Sequence, residues 1–242
     1  MATTVENTLT APGATTRSRP FSFASLDTRH KRQAVLNALR EQLSQFEGTF
    51  LDVGCGRQPY KPLVLSPPSR VREYIGLDLG REAYGQPDLL WEGRQIPCAS
   101  ETIDSAMATE VLEHCPEPDV VLGEIARVLK PGGIFFFTVP FLWPLHDSPH
   151  DEYRYTPFAL RRHLVNAGFD NVRMKSLGGW NSSLGIMLAL WVRRSPMGRT
   201  RRRILSLLLA PVIHHLHRRD RVAPVETDQT MIVGIAGTCR KA

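Results

Sequence analysis

Short runs of β-branched and aromatic residues alternate with amphipathic helical stretches along most of this chain. Short strands separated by helices are typical of a parallel sheet that is covered by helices on both faces. We therefore predict an α/β fold with a doubly wound sheet of seven strands. The predicted strands are Thr49–Val53, Glu73–Leu77, Asp88–Trp91, Ile103–Ala108, Ile134–Val139, Val172–Ser176 and Met231–Ala236. The predicted helices are Ser25–Phe46, Val120–Leu129 and Pro157–Ala167.

The composition divides the chain into a tail and one domain. Residues 1–24 are rich in Thr, Ala, Ser and Pro without apolar periodicity, which predicts a flexible tail, and residues 25–242 form the predicted domain. A chain of 242 residues that is 42% hydrophobic can bury a sizeable core. The four cysteines form no C-x-x-C pair, and the N-terminus lacks an apolar signal region. We therefore expect no disulfide scaffold and a cytoplasmic location.

A basic and apolar helical insertion is predicted at about residues 180–222, before the last strand. Between Arg193 and Arg221 stand nine arginines and one acid, Asp220, whereas the whole chain has a net charge of +6. The apolar runs Leu184–Val192 and Ile204–Ile213 are too short to span a bilayer but suit helices at an interface. We expect docking on an anionic membrane surface; the alternatives are a solvated arginine face and helices packed as core. The histidines expected on the polar face of this segment are His214, His215 and His217.

A glycine-rich turn follows the first predicted strand directly. Glycines in the run 51–56, LDVGCG, let the backbone approach a ligand closely, and Asp78 ends the next strand, where a carboxylate can accept both hydroxyls of a ribose. These features predict a ligand that contains adenosine. A dinucleotide fingerprint would need Gly or Ala where Pro59 stands, and no triphosphate-binding loop is present. Asp52 before the first glycine fits a ligand with a cationic amine better than a pyrophosphate.

Five motifs in chain order, over about half the chain from Thr49 to Val172, resemble the class I S-adenosylmethionine-dependent methyltransferases of the type-11 branch. They are LDVGCG at 51–56, YIGLD at 74–78, WEGRQIP at 91–97, the segment from Ile103-Asp104 to VLEH at 111–114, and RVLKPGG at 127–133. Two departures are Pro59 and Pro62 in the helix after the glycine loop, which should make it short or distorted, and Glu92 in place of the usual Asp. The resemblance implies a Rossmann-like, mostly parallel sheet with helices on both faces.

The resemblance also implies S-adenosyl-L-methionine as the cofactor. The implied cofactor-binding residues are Asp52, Gly54 and Gly56 at the methionine end, Asp78 at the ribose, Glu92 and Gly93 at the adenine, and Thr109 or Glu110 beside the sulfonium. Cys55 and Leu79, which adjoin these residues, are implied as cofactor-binding without a separate role. For Glu110, an acid favoured by a helix N-terminus is an equally good interpretation.

The acceptor is expected at the polar loop after the strand Ile134–Val139, because ligands bind beyond the carboxyl ends of parallel strands. Phe141 and Trp143 could wall its pocket, and a histidine is the obvious general base. The resemblance favours His146, Asp151 and Arg154 as acceptor-site residues, with His150 as a further candidate.

Other interpretations of this loop remain open. His146 and His150 with Asp147 and Asp151 could bind a metal, although the flanking prolines argue against that set, and we predict no metal. Alternatively, Asp151 pairs with Arg154 and caps the helix that starts after Thr156. His114 is expected to pack or cap.

The predicted function is methyl transfer to a small-molecule or lipid-linked acceptor, with docking at a membrane surface. Methylation of nucleic acid is a weaker alternative, because the arginines are interleaved with leucines rather than with stacking aromatics and no base-flipping motif such as Asn-Pro-Pro-Tyr appears. A catalytically silent cofactor-binding module is a third possibility, which the intact glycine loop and the two acids disfavour. The residues leave O-, N- and C-methylation open.

Overall fold

The computed structural model describes residues 26–80 and 85–242. It contains one seven-stranded sheet in the order β3-β2-β1-β4-β5-β7-β6. Strands β1 to β5 are parallel, and β7 runs antiparallel between β5 and β6. The strands are β1 (Glu47–Val53), β2 (Arg70–Asp78), β3 (Leu89–Leu90), β4 (Ile103–Thr109), β5 (Leu129–Pro140), β6 (Phe169–Leu177) and β7 (Gly234–Lys241). The predicted Rossmann-like fold is confirmed, whereas the predicted tail, residues 1–24, lies outside the described residues.

Within residues 26–80 and 85–242, six α-helices and two short 3₁₀ turns precede or connect the strands. The helices are α1 (Arg29–Arg40), α2 (Lys61–Val64), α3 (Pro118–Val128), α4 (Pro157–Asn166), α5 (Trp180–Arg194) and α6 (Arg199–Arg218). The 3₁₀ turns are Leu43–Gln45 and Leu112–His114. Helix α2, which follows the glycine loop, has only four residues, as its prolines predict.

Each face of the sheet has its own hydrophobic core, because successive side chains of a strand point to opposite faces. Along β5, Phe135 and Phe137 pack into a core with α3 and α4, whereas Phe136 packs into a second core with α1. All three rings are essentially inaccessible to solvent. Helices therefore cover both faces of the sheet. In such folds the ligand crevice lies at the carboxyl ends of the strands where the strand order reverses, which here is between β1 and β4.

The last strand begins later than the sequence pattern predicts. Residues 231–233 precede the ladder, and β7 runs through the glycines and charged residues from Gly234 to Lys241. Gly237 explains the composition: a Cβ there would lie 2.5 Å from Phe137 Cζ and 2.6 Å from the Arg173 carbonyl oxygen. The strand is thus glycine-rich because a neighbouring ring lies across its backbone, which an apolarity pattern does not reveal.

Between β6 and β7, α5 and α6 pack on each other with one buried face each. Ala189, Ala210 and Ile213 form their shared contact with Leu26, and Ile186 and Leu190 pack on Val233. The opposite faces are exposed, so these helices are neither wholly core nor wholly surface. None of the described helices has the length and apolarity needed to cross a membrane.

His217 lies inward rather than on the polar face expected for it. Its ring stacks on that of His30 at 3.6 Å between centroids, and both rings contact the Ser182 hydroxyl. Desolvation lowers the pKa of His217 to about 4, and burial also lowers the pKa of His30. The reason is the close approach of α6 to α5 at Gly185, where a Cβ would lie 3.0 Å from the His217 ring.

Candidate functional site

The glycine loop leaves β1 at the carboxyl edge and is tied to the end of β2. The N–H groups of Gly54 and Cys55 donate to the Leu77 carbonyl at 2.8 and 3.1 Å. Gly54 has a φ of +69° and a Cβ there would lie 2.4 Å from Val111, so no side chain fits. Gly56 has a φ of +52° and no atom within 4 Å of the Cβ position, so its outer side faces open space. The loop thus offers backbone to a ligand, as the sequence predicts.

Asp52 is a buried carboxylate with one oxygen left unpartnered. The Tyr74 hydroxyl donates to Asp52 Oδ2, whereas Oδ1 has no hydrogen-bond partner. Desolvation raises the pKa of Asp52 to about 7, although the Tyr74 bond lowers it and the charge of Asp78 raises it further. A buried carboxylate oxygen without a donor favours a cationic or N–H-bearing ligand next to the loop. No pattern in the sequence indicates Tyr74 as the partner of Asp52.

Asp78 lies across the loop from Asp52 at the end of β2. Its Oδ2 accepts the N–H of Gly56 at 2.7 Å and its Oδ1 accepts that of Leu79 at 2.7 Å. Each carboxylate oxygen has a further lone pair, so both can also accept ligand hydroxyls. The adjacent Asp88 supports the same edge by accepting the Gly76 N–H at 2.7 Å.

The residues predicted to face an adenine are spread along the segment after β3. Gly93 has a φ of +78°, and the atom nearest to its Cβ position is Leu79 Cδ2, at 3.9 Å. Leu79 is 46% exposed, which leaves an apolar side chain open beside this turn. Glu92 is exposed. Leu79 and Gly93 therefore lie next to each other, and the adenine role of Glu92 stays a prediction.

Cys55 is buried within the loop and does not resemble a reactive thiol. Burial raises the pKa of Cys55 to about 12, and the nearby carboxylates raise it further. The thiolate is the nucleophilic form of cysteine, so Cys55 stays protonated and contributes shape.

Glu110 stands at the exit of β4 with an unusual backbone. Its φ is +57°, and its Oε1 accepts the Thr138 hydroxyl at 3.1 Å. Its Oε2 forms an ion pair with Lys31 of α1. The following 3₁₀ turn has only three residues and starts at Leu112, so a helix N-terminus does not account for this acid. Thr109, the last residue of β4, lies directly before it.

Three of the four predicted acceptor-site residues come together in the loop after β5. His146 Nδ1 lies 3.2 Å from Asp151 Oδ2, and Arg154 binds both oxygens of Asp151 at 2.7 and 2.8 Å. The hydrogen bonds from Arg154 lower the pKa of Asp151 far below its ordinary value. Burial lowers the pKa of His146, so its ring is neutral at neutral pH. The Arg154 guanidinium also donates to the carbonyls of Trp143 and Pro144, which fixes the loop's path.

The fourth residue, His150, does not join this group. Its side chain is exposed, and its carbonyl oxygen accepts from His114 Nδ1 at 2.9 Å. The alternative interpretation of Asp151 holds in part: it pairs with Arg154, whereas Thr156 caps α4 through its own hydroxyl, which accepts from Ala159 at 3.3 Å.

Sequence reasoning missed Lys31 and Glu113. Lys31 comes from α1, and its Nζ lies 4.4 Å above the Trp143 ring. Glu113 is fully buried, and neither of its oxygens has a hydrogen-bond partner. The signal available was the VLEH run itself, in which an acid in an apolar turn is unusual.

Residues 51–137 match a family model described as a methyltransferase domain. This segment is therefore similar to the methyltransferase domain of the type-11 family. The resemblance drawn from the five motifs is therefore confirmed. It covers the strands from β1 into β5 and the glycine loop between them.

Two curated relatives match parts of this chain. The ubiquinone biosynthesis O-methyltransferase of Serratia proteamaculans is 33% identical over 106 residues, which cover 38% of this chain and 43% of the relative. The dimethylglycine N-methyltransferase of Parasynechococcus marenigrum is 28% identical over 103 residues, which cover 43% of this chain and 34% of the relative. The chain thus spans less than half the length of these relatives.

A solved structure extends the likeness to nearly the whole chain. A SAM-dependent methyltransferase from Archaeoglobus fulgidus superposes with a TM-score of 0.56 at 16% identity, covering 90% of this chain and 96% of the other. At this identity the comparison shows a shared fold.

Proposed function

We propose that this chain transfers a methyl group from S-adenosylmethionine to a small-molecule or lipid-linked acceptor. The observation that carries the proposal is the glycine loop with its two acids, Asp52 and Asp78, at the carboxyl edge of a methyltransferase fold. The partial likeness to methyltransferases named for ubiquinone biosynthesis and for dimethylglycine supports a small acceptor rather than a nucleic acid.

The residues at this edge fit the cofactor. The unpartnered Oδ1 of Asp52 suits the cationic amine of the methionine end, and the open space beside Gly56 suits its chain. Asp78 retains lone pairs for two ribose hydroxyls, and Leu79 with Gly93 would cover the adenine. The bound cofactor supplies an already activated methyl group.

The contribution of this chain is then to align the acceptor and exclude water. Asp151 accepts a hydrogen bond from His146 Nδ1, and Arg154 in turn holds Asp151. Both are therefore positioning residues, and Nε2 is the ring nitrogen that carries the lone pair. His146 stays neutral at neutral pH, so its lone pair is available to the acceptor. Phe141 and Trp143, the predicted walls of the acceptor pocket, are both half-buried, and they pack against different hydrophobic clusters.

We further propose that the exposed faces of α5 and α6 dock on an anionic membrane surface from the cytoplasmic side. On α5 the exposed apolar residues recur with helical spacing: Trp180, Leu184, Met187 and Trp191. On α6 a second exposed set consists of Ile204, Leu207, Leu208 and Val212. Arg201 and Arg203 are exposed beside it. An apolar face bordered by arginines complements acidic lipid headgroups.

Cofactor binding and transfer test the main proposal. Isothermal titration of the full chain with S-adenosylmethionine should give one site, and tritiated-methyl transfer to extracted small molecules and lipids should label an acceptor. Asp78→Ala should weaken cofactor binding about 10- to 100-fold, since ribose hydroxyls would lose a charged acceptor. Glu73→Gln on the same strand, whose carboxylate accepts from Thr49, is the matched control. Unchanged affinity in folded Asp78→Ala would remove Asp78 from the cofactor site.

Vesicle co-sedimentation tests the docking. The chain should bind anionic but not neutral vesicles, more weakly at high salt, and Arg201→Gln with Arg203→Gln should reduce binding further because each arginine contributes about 1 kcal/mol. The same two changes at the exposed Arg40 and Arg162 keep the net charge equal and should leave binding intact. Protein that stays in the supernatant with anionic vesicles at low salt would disprove docking.

A further inference from the structure

Glu113, His114 and His146 form a compact cluster at the carboxyl edge of the sheet. The first two belong to the 3₁₀ turn after β4, and the third lies in the loop after β5. One ligand-capable atom from each of the three lies within 4.8 Å of the others. Glutamate and histidine side chains are the ligand types of open catalytic zinc sites.

The carboxylate of Glu113 is buried without a counter-charge in contact. Its side chain has no exposed surface, and neither oxygen forms a hydrogen bond. The two nearby cations are engaged elsewhere, because Lys31 pairs with Glu110 and Arg154 with Asp151. Burying a carboxylate without compensation is unfavourable, so such groups are ordinarily paired or bound to a metal. This unsatisfied acid is the second observation that points to a ligand.

Both imidazoles are arranged as metal ligands usually are. His114 Nδ1 lies 2.9 Å from the His150 carbonyl, which can only accept, so Nδ1 carries the proton and Nε2 the lone pair. His146 Nδ1 faces Asp151 in the same way, at 3.2 Å. A ligating histidine typically donates its other N–H to a carbonyl or a carboxylate, which sets the tautomer. His114 Nε2 lies 3.8 Å from Glu113 Oε1.

We propose that Glu113, His114 and His146 bind a divalent cation of the first transition row, such as Zn²⁺ or Mn²⁺. Two imidazole nitrogens favour these ions over Mg²⁺ and Ca²⁺, which prefer oxygen ligands. Ligand atoms on such an ion lie roughly 3–4 Å apart, given bonds of about 2.1 Å. The present spacing, within 4.8 Å, has to shorten to that distance when the ion binds.

Three protein ligands leave at least one position open on the ion. Under the proposed function, on which this step rests, that position takes an acceptor oxygen, so the acceptor carries a hydroxyl or carboxyl group. With the ion bound, the His146 lone pair proposed above for the acceptor acts on it through the ion, and His146 is a ligand rather than the general base expected from the sequence. The site also differs from the His146 and His150 set considered there, because its other members come from the turn after β4.

Titration of metal-free full-length protein with ZnCl₂, in the presence of a competing chromophoric chelator, tests the site without S-adenosylmethionine or acceptor. One tight site is expected. Glu113→Gln keeps the side-chain shape but loses the charge, and it should weaken Zn²⁺ binding at least about 10-fold, the loss that even outer partners of a ligand produce. His114→Gln and His146→Gln should each do the same, and MgCl₂ should not compete.

His163→Gln is the matched control. His163 Nδ1 lies 2.6 Å from Asp119 Oδ1, a histidine–carboxylate pair outside the cluster, and its loss should leave Zn²⁺ affinity unchanged. Thermal unfolding of each variant without metal establishes that it is folded. A parent chain without a tight site, or equal Zn²⁺ affinity in the three folded cluster variants, would overturn the proposal. Cofactor titration of the metal-free chain is a separate measurement, so failure of the metal site and failure of the proposed function are distinguishable.

Discussion

Replacing Asp52 by Asn should stabilise the protein without cofactor and impair cofactor binding. Burial raises the pKa of Asp52 from 3.8 to about 7, a difference of about 3 units. Each unit corresponds to 1.36 kcal/mol, so the ionised carboxylate destabilises the fold by up to about 4 kcal/mol above neutral pH. Because the asparagine amide places unpaired N–H groups near the present Oδ1, we expect about 2 kcal/mol of this to be recovered.

The sign of the pH dependence is specific. The folded-state pKa of Asp52 lies above its unfolded value, so the parent chain loses stability as pH rises from about 4 to about 7 and levels off beyond. Asp52→Asn lacks this loss. Its melting temperature should exceed that of the parent by about 4–8 °C at pH 8 and fall about 2–4 °C below it at pH 4.5, where the folded parent keeps Asp52 protonated.

Differential scanning calorimetry across this range, combined with titration of S-adenosylmethionine, measures both effects. Cofactor affinity should fall about 10-fold or more, because a cationic amine loses its anionic partner. Asp104→Asn is the control with the opposite sign. Burial raises the pKa of Asp104, but the hydrogen bonds from Lys130 and Thr49 outweigh burial and hold the pKa below its ordinary value. A melting difference for Asp52→Asn that is equal at pH 4.5 and pH 8 would refute the reasoning.

Two further predictions concern the packing around the site. His217→Phe keeps a ring stacked on His30 but removes a group whose folded pKa of about 4 lies below its unfolded value. The parent loses stability as the pH falls from 6.5 to 4, and thermal unfolding should show that the variant retains part of it. An equal loss of stability in both proteins over this range would contradict the prediction. Gly237→Ala should lower the free energy of unfolding by about 1–3 kcal/mol in denaturant titration, because its Cβ would overlap Phe137 Cζ at 2.5 Å, whereas Gly123→Ala, with nothing within 4 Å, should not.

The strands and the cofactor loop were predictable because their signals are local. A parallel strand buried on both faces is a continuous apolar run, and the backbone at Gly54 and Gly56 requires glycine. Asp78 could be placed for the same reason, since it ends an apolar strand and faces the loop. The start of β7 was not predictable, because Gly237 answers to Phe137, which lies far away in sequence.

The acceptor side was predicted only in part, because it depends on contacts between distant segments. Asp151 and Arg154 are three residues apart, so their pairing has a local signature. His150 lies in the same polar run, yet its side chain is exposed, since its carbonyl oxygen rather than its ring contacts His114. Glu113 is an unusual acid in an apolar turn, but its burial follows from the loop after β5, whose Glu152 and Tyr153 N–H groups donate to its carbonyl.

Lys31 connects parts of the chain that lie outside the segment matched by the methyltransferase family model. It lies on α1 before the matched methyltransferase segment, and Trp143, over which it sits, lies after that segment. Through its ion pair with Glu110, Lys31 joins these outer parts to the exit of β4. The glycine loop thus lies within residues 51–137, whereas Lys31 and Trp143, which lie beside the proposed acceptor site, are outside them. A fold does not by itself determine the substrate, so the substrates named for relatives that match less than half of this chain do not identify its acceptor.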